Sequence, residues 1–586
     1  MFGSVSRILI LQLAPIILPP SVQIIVNEDN RLLYRGADYI SYRDIPEQAK
    51  HEFAKQLESV CDRLRKIGYR GVIGFDGVIC RDDVFIVEAN NRFQGSTYAL
   101  NHSLWHNGLP SVQQLNLEAF GMLTPSIKSR EVALVRVPYS YYIFINDFNG
   151  IHARHIMENL YHSEEIIEHS DDGFVLGPPA EVNAYLFHVS LSTNICSVDT
   201  HSFRVSLHPA FETPSVQWHQ LISVTKDTSA IKTALINQGV IISDGAKRYL
   251  AWEKQLRDGN YINIDLLLNK RYFINCPVTM KFANLSPFIL EYEQGEGLFI
   301  SYYGSVLFEN VEFIPKPLLK SYVTSSEKPL YNMVFFSTDR LRLQNSPSCI
   351  FNKIKKPCKF CEVYNRDVDF NESDIMEAID ACFSLPIVPF RHILIGGRSS
   401  AIGSEKKTIL DMCSRITKYA NLPIYLMCLP PSNLSDIDDY FAAGVTEFGF
   451  NIEIFDRTIA QRIMPGKGRI PISQYLDALA YAAGLCGKAG AVRSAFVVGL
   501  EPLESLLQGV ETVCRTGAVP ILSAFRPVPH TPLGDVSPLC ASELFRITQE
   551  AETIAEHYGL SLGPNCIPCQ NNTLNILKRG EAEISI

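Results

Sequence analysis

From about Asn332 onward, apolar and polar positions fall into a regular alternation of short β-branched runs and longer stretches at helical spacing. The short runs predict strands at Met333–Phe336, His392–Ile395, Pro423–Leu429, Val445–Ile452, Val492–Val498 and Val519–Phe525. Between them, Ser373–Phe383, Lys406–Tyr419, Asp436–Ala443, Ser473–Cys486, Leu503–Arg515 and Ser542–Tyr558 carry the 3.6-residue period of amphipathic helices. Six βα units in succession predict a parallel sheet curled into a partial barrel. Functional groups on such barrels collect at the C-terminal ends of the strands.

The front of the chain has a different rhythm. Residues 1–205 alternate strands and helices, with Phe53, Leu57, Val60 and Leu64 on one face of a helix predicted over Ile45–Ile67. Two strand-like runs follow, Gly71–Asp76 and Asp83–Glu88. The apolar stretch Ile8–Val26 is broken by Pro15, Pro19 and Pro20. It therefore lacks the run of about 18 apolar residues a membrane span needs. No signal-peptide cleavage site follows it, and it reads as a buried strand region that begins in mid-fold. Residues 206–325 predict a helix over Thr233–Leu256, a helix or strand at Tyr261–Leu268, a hairpin over Gly297–Phe308 and a linker at Pro315 and Pro317. This stretch shows no catalytic constellation and is expected to be a linker or substrate cap, with Cys276 a buried thiol. The expected domains are thus 1–205, 206–325 and 326–586.

Composition narrows the class. A chain of 586 residues exceeds one ordinary core. Its 46% hydrophobic and 20% charged content is that of a soluble globular protein. A net charge of -9 with no long basic run argues against nucleic acid, and no membrane partner is expected. Fifteen cysteines spread over the length favour a reducing cytoplasm over a disulfide scaffold.

Those cysteines carry the sharpest signal. Cys349, Cys358 and Cys361 lie in one loop at C-x8-C-x2-C spacing, directly after the first predicted strand of the barrel. A structural zinc site wants four ligands, whereas a [4Fe–4S] cluster held by three thiolates keeps one iron open. A zinc knuckle borrowing its fourth ligand from Cys382 or from Cys566 and Cys569 is the alternative. Further candidates close the other strands. Gly396 and Gly397 allow a ligand close to the backbone, Glu453 suits ribose hydroxyls, the turn Val498-Gly499-Leu500-Glu501 offers a seat for adenine, and Arg526 is a candidate anion contact. In the front half Asp76, Glu88 and Asn90 are hard oxygen donors that suit Mg²⁺ carrying nucleotide phosphates. Near the C-terminus, Cys566-x2-Cys569 is half of an auxiliary cluster or zinc site, or a redox pair.

Residues 331–575 resemble the radical S-adenosylmethionine (SAM) superfamily, nearest the biotin synthase, hydrogenase-maturase and methylornithine synthase branch. The resemblance implies that Cys349, Cys358 and Cys361 bind [4Fe–4S], that Gly396 and Gly397 hold the methionyl amine, Glu453 the ribose and Val498–Glu501 the adenine. Reductive cleavage of SAM would then give a 5′-deoxyadenosyl radical that modifies a small molecule. A reductant such as flavodoxin or ferredoxin is implied as partner. Two features depart from the family pattern: its commonest first gap is three residues rather than eight, and Tyr475 stands where the branch has an arginine for the methionyl carboxylate, a role that Arg462 or Arg493 is left to fill. In the front half, Gly68-x2-Gly71-x2-Gly74-x-Asp76 with Glu88-x-Asn90-x-Arg92-x2-Gly95-Ser96 resembles the C-terminal half of an ATP-grasp domain, with Gly177-Pro178-Pro179 and Asn194–Ser197 compatible with its closing strands. That resemblance implies ATP and Mg²⁺, with a separate chain supplying the lysine-bearing half. The alternative function is therefore a component of an ATP-grasp carboxylate–amine ligase.

Overall fold

The structure, a computed structural model, describes residues 3–11, 15–28, 31–80, 83–145, 155, 166–170, 185–198, 205–211, 216–252, 263–279, 283–317, 319, 322–384, 390–400 and 405–575. The chain divides into two compact units, Met1–Pro214 with Asp535–Ser537, and Ser215–Gly534 with Pro538–Ile586. Gly177–Pro179 and the tail from Lys578 lie outside the described residues.

The first unit is α+β. Its sheet contains β1 (Gly3–Leu11), β2 (Ser21–Glu28), β3 (Arg31–Asp38), β4 (Gly71–Cys80), β5 (Asp83–Asn90), β6 (Ser140–Ile145), β7 (Ile166–Ser170) and β8 (Tyr185–Leu191), in the order β5-β4-β1-β2-β3-β6-β8-β7. Its pairs are antiparallel. Helix α1 (Glu47–Lys66) forms where the period predicted it, with the buried stripe on Ala49, Phe53, Leu57 and Cys61, while Val60 and Leu64 are half-buried. Arg63, Arg65 and Lys66 close its last turn, where cations complement the helix dipole.

The second unit joins two sheets through one hydrophobic core that runs from Trp218 and Ile231 through Ile264 and Phe288 to Ile393, Phe448 and Leu574. The stretch expected as a separate cap therefore shares its core with the barrel region. The helix expected over Thr233–Leu256 is instead α2 (Thr228–Gln238), followed by a short helix Asp244–Tyr249. Gly239 ends α2 with φ +74°, and a Cβ there would lie 2.2 Å from the Pro277 carbonyl oxygen. Beyond it, β9 (Asn263–Leu268), β10 (Tyr272–Pro277), β11 (Phe288–Glu293), β12 (Gly297–Tyr302) and β13 (Ser305–Ile314) form an antiparallel sheet, extended at one edge by the parallel pair Ile241–Ile242. Cys276 is fully buried, and burial pushes its thiol well up.

The last sheet runs in sequence order: β14 (Val334–Ser337), β15 (Arg340–Leu343), β16 (His392–Gly396), β17 (Ile424–Met427), β18 (Val445–Gly449), β19 (Val492–Val498) and β20 (Val519–Ala524). From β15 to β20 every pair is parallel, whereas β14 pairs antiparallel with β15. The run Met333–Phe336 is therefore the outer arm of a hairpin, and the first parallel strand is Arg340–Leu343. Helices α3 (Glu372–Ser384), α4 (Lys406–Thr417), α5 (Ser435–Ala442), α6 (Arg457–Ile463), α7 (Ile472–Cys486), α8 (Leu503–Arg515) and α9 (Ala541–His557) fill the crossovers and the end. The stripe on α8, Leu506, Gly509, Val510, Val513 and Cys514, shows why: each helix buries one face, as short parallel strands covered by helices require. No described helix is long and apolar enough to cross a membrane.

Candidate active site

The cysteine loop leaves the C-terminal end of β15. Cys349 caps a one-turn helix, Ile350–Lys353, its carbonyl accepting from the Asn352 and Lys353 N–H groups at 3.0 and 3.2 Å. The Ile350 N–H donates to the Ser399 carbonyl at 2.7 Å, which ties the loop to the exit of β16. Cys361 N–H donates to the Cys358 carbonyl at 3.3 Å, so the last pair shares one tight turn. Cys358 and Phe360 pack on Ile454, Ile463 and Met464, so the loop has an apolar floor. All three thiols are half-buried. Burial raises the Cys358 thiol, against the pull of the Lys467 ammonium, and the charges of Cys361 and Cys349 raise it further. Burial likewise raises Cys361, against a hydrogen bond from the Val363 N–H, and Cys349 again adds to the rise. The charges of the three cysteines thus act on one another.

Gly396 ends β16, and it and Gly397 adopt φ of +154° and +140°. A Cβ on Gly396 would lie 2.5 Å from the Met427 carbonyl oxygen, and one on Gly397 would lie 2.5 Å from Gln344 Oε1. Around this exit several buried polar atoms have no hydrogen-bond partner: Arg398 Nε and Nη1, Gln344 Oε1, Asn345 Oδ1 and Ser348 Oγ. Orphaned buried groups cost about 1–3 kcal/mol each, so a set of them at one strand end calls for a polar ligand. Burial also raises the Glu405 carboxyl to about 7, against hydrogen bonds from the Ser400 N–H at 3.4 Å and Asn345 Nδ2 at 3.0 Å.

Glu453 follows β18 in a left-handed conformation, φ +67°. Its backbone is held by Ala495 O and Val497 N at 2.8 and 2.9 Å, and its carboxylate pairs with Lys467 Nζ at 2.9 Å. Burial alone would lower the Lys467 ammonium, but Glu453, Tyr475 and Cys358 outweigh it and hold it above its ordinary range. The same couplings link Glu453 and Tyr475 to the cysteine group. Glu501 has a different setting from the adenine seat that the sequence suggested for its turn. Its carboxylate accepts from the Phe455 N–H at 2.9 and 3.0 Å and from the Asp456 N–H at 2.8 Å, which clamps the segment leaving Glu453. Burial raises its carboxyl. Gly499, φ +105°, makes the turn that brings Glu501 back from Val498 at the end of β19.

Two arginines proposed for anion contact are engaged elsewhere. Arg526 donates to Asn275 Oδ1 and O, both at 3.0 Å. Arg493, near the start of β19, pairs with Glu447 at 2.6 Å and lies over the Tyr425 ring. Arg398, Lys467 and Glu405 were not assigned from sequence.

In the first unit Asp76 and Glu88 pair across β4 and β5, and Asn90 pairs with Gly74. Asn90 Nδ2 donates to Asp76 Oδ2 at 3.0 Å, while Gln23 and Gln94 donate to Asp76 Oδ1 at 2.9 and 3.4 Å. Asp76 and Asn90 are half-buried and Glu88 is exposed. The predicted trio is therefore together, with two glutamines that the motif did not include. Asn194–Ser197 leads into a strand over Cys196–Val198, and its Ile195 and Cys196 N–H groups donate to the buried Asp38 carboxylate at 2.8 and 3.1 Å. Cys566 and Cys569 lie beside His392 at the N-terminal end of β16.

No family model matches the chain. A curated relative, bacteriochlorophyllide c C-7(1)-hydroxylase of Chlorobaculum limnaeum, is 26% identical over 130 residues, or 22% of this chain. The match spans about a third of that relative's length, 32%. Similar solved structures include ones titled as radical SAM enzymes and as carboxyaminoimidazole ribonucleotide synthases. The Escherichia coli coproporphyrinogen III oxidase, titled a radical SAM enzyme, has 15% identity and a TM-score of 0.30 over 41% of this chain and 59% of its own. Methylornithine synthase has 14% identity and a TM-score of 0.29 over 43% and 79%. Carboxyaminoimidazole ribonucleotide synthase of Aspergillus clavatus, complexed with ATP, has 15% identity and a TM-score of 0.25 over 32% and 46%.

Proposed function

We propose that the second unit is a radical SAM enzyme acting on a small molecule, amino-acid- or peptide-derived, in a cytoplasmic biosynthetic pathway. The observation that carries the reading is the grouping of Cys349, Cys358 and Cys361 at the C-terminal ends of parallel strands, beside buried polar atoms left unpaired. Three thiolates and a polar cradle fit a [4Fe–4S] cluster with SAM on its open iron. Such a cluster, when bound, supplies one electron for cleavage of SAM to methionine and a 5′-deoxyadenosyl radical. Cys349, Cys358 and Cys361 would hold it. The Gly396–Gly397 backbone would receive the methionyl group, with Arg398 and Arg342, both with unpartnered guanidinium nitrogens, as candidate cations for its carboxylate. Glu453, oriented by Lys467, would take the ribose, and Val498–Gly499 the adenine, while Glu501 fixes the Glu453 segment. A flavodoxin or ferredoxin would supply the electron.

Anaerobic reconstitution should load about four irons per chain. Cys349→Ala, Cys358→Ala and Cys361→Ala should each lose the cluster absorbance and SAM cleavage under dithionite. A cysteine-intact protein that takes up no iron–sulfur chromophore sinks the reading.

A second reading rests on Asp76, Glu88 and Asn90, which converge on two paired strands. With the amides turned to present oxygen, they suit Mg²⁺–ATP, and the first unit would act with a separate nucleotide-binding chain as a ligase component. Glu88→Ala should abolish Mg–ATP binding in the presence of that chain, and unchanged binding would refute it.

A further inference from the structure

We infer that Cys566, Cys569 and His392 form a zinc site at the opposite end of the parallel sheet from the cysteine loop. Cys566 caps a 3₁₀ turn over Ile567–Gln570, and the Cys569 N–H donates to the Cys566 carbonyl at 3.1 Å. Residues three apart eclipse on such a turn, so both thiols leave it on one side. They meet His392, the first residue of β16: Cys569 Sγ lies 2.8 Å from His392 Nε2, and the three ligand atoms are all within 4.8 Å of one another. A tetrahedral Zn²⁺ with bonds of about 2.3 Å to sulfur and about 2.0 Å to nitrogen holds its ligand atoms roughly 3.5–3.8 Å apart. The three side chains need only adjustment to reach that shell, with a water completing the fourth position on the half-buried side.

The surroundings suit a resident ion. His392 offers Nε2 to the thiols, and its Nδ1 faces Asp339 Oδ1 at 3.9 Å. Asp339 is itself held by Arg391, Nε at 2.8 Å and Nη2 at 2.7 Å. A carboxylate behind a histidine orients the ring and raises its basicity as a ligand. Cys569 is buried, while Cys566 and His392 are half-buried, so the centre is shielded on one side and reachable on the other. Two thiolates balance the charge of Zn²⁺, and an N/S donor set selects a borderline-soft ion over Mg²⁺ or Ca²⁺. The turn is also pinned in place. Thr338 Oγ1 donates to the Pro568 carbonyl at 3.3 Å, Asn571 Nδ2 donates to Asp265 Oδ1 at 2.8 Å, and Leu574 bridges Leu522 on β20. The ion would fasten the C-terminal segment to the start of β16, whose other end is Gly396, roughly 13 Å away at the rise of a strand.

The test separates this site from the cluster by using the full chain with Cys349, Cys358 and Cys361 all changed to alanine. After chelator dialysis and exposure to zinc, that protein should hold about one zinc per chain. The further changes Cys569→Ser or His392→Ala should each cut occupancy at least tenfold. Asp339→Asn, which keeps the shape of the side chain, should weaken zinc affinity about 10-fold or more. Cobalt in place of zinc should show a thiolate-to-cobalt charge-transfer band that disappears in Cys566→Ser. Zinc occupancy that is unchanged by Cys569→Ser and His392→Ala overturns the assignment. So does a Cys566–Cys569 disulfide as the resting state of protein purified anaerobically without reductant.

Discussion

Glu405 offers a quantitative handle on the strand end beside Gly397. Its buried carboxyl titrates near 7 rather than at the ordinary 4.5, because burial disfavours the anion more than the Ser400 and Asn345 hydrogen bonds favour it. The folded state therefore holds a proton that the unfolded chain releases between about pH 4.5 and pH 7. Stability falls across that window as pH rises, and above it the full penalty remains. A shift of roughly 2.5 units at 1.36 kcal/mol each corresponds to about 3 kcal/mol. Glu405→Gln keeps an oxygen to accept from the Ser400 N–H and Asn345 Nδ2 but cannot ionise. At pH 5 the variant and the wild type should melt close together, and at pH 8 the variant should be more stable by about 3 kcal/mol. For a unit of roughly 370 residues that is a Tm difference of about 4 °C. Scanning calorimetry from pH 4 to pH 8.5 measures it. Parallel Tm-against-pH curves for the two proteins would refute the reasoning.

Lys467→Met and Glu453→Gln should each cost about 1–3 kcal/mol in urea denaturation, since each strands a charge whose side chain is only 13% or 19% exposed. The double variant should cost less than the sum. Glu501→Ala frees two backbone N–H groups and, on the proposed function, should raise the KM for SAM with little change in kcat, while Glu501→Gln recovers part of the loss; an unchanged KM in the alanine variant would separate Glu501 from the Glu453 carboxylate. Gly396→Ala should destabilise by about 1–3 kcal/mol, because its Cβ meets a backbone oxygen. Gly397→Ala should cost less, because there the nearest atom ends the Gln344 side chain, and chemical denaturation ranks the two.

What the sequence made legible follows from where the information is local. The helix at Glu47–Lys66 and the parallel strands from His392 onward carry their period in adjacent residues. Arg340–Leu343 escaped because Arg-Leu-Arg-Leu averages to a polar run. Leu341 and Leu343 are nevertheless fully buried, and the strand is half-covered in the alternating way that marks it. Glu405 and Lys467, and the neighbours of Tyr475, escaped for another reason. Each gains its role from residues that only the fold brings near: Lys467 from Glu453, Glu405 from Asn345, and Tyr475 from both Lys467 and Cys358.

The eight-residue first gap in the cysteine motif shows how an irregular spacing can serve a site. The inserted residues are not slack. They form the one-turn helix capped by Cys349, then a left-handed turn at Lys355, φ +56°, before the chain reaches Cys358. The insert places Phe351 so close to Gly466 that a Cβ on the glycine would lie 2.3 Å from the ring and 2.9 Å from the Lys356 carbonyl oxygen. The Gly466 N–H donates to that same oxygen at 3.1 Å, and the Lys359 N–H donates to the Ile463 carbonyl at 2.9 Å. Both contacts bind the loop to the turn that carries Lys467, and Lys467 in turn holds Glu453. A three-residue gap has no Phe351 or Lys356 to make these contacts. The longer loop therefore couples the position of the three thiols to the position of the Glu453 carboxylate, and Gly466 is required because only a residue without a Cβ lets the two segments touch.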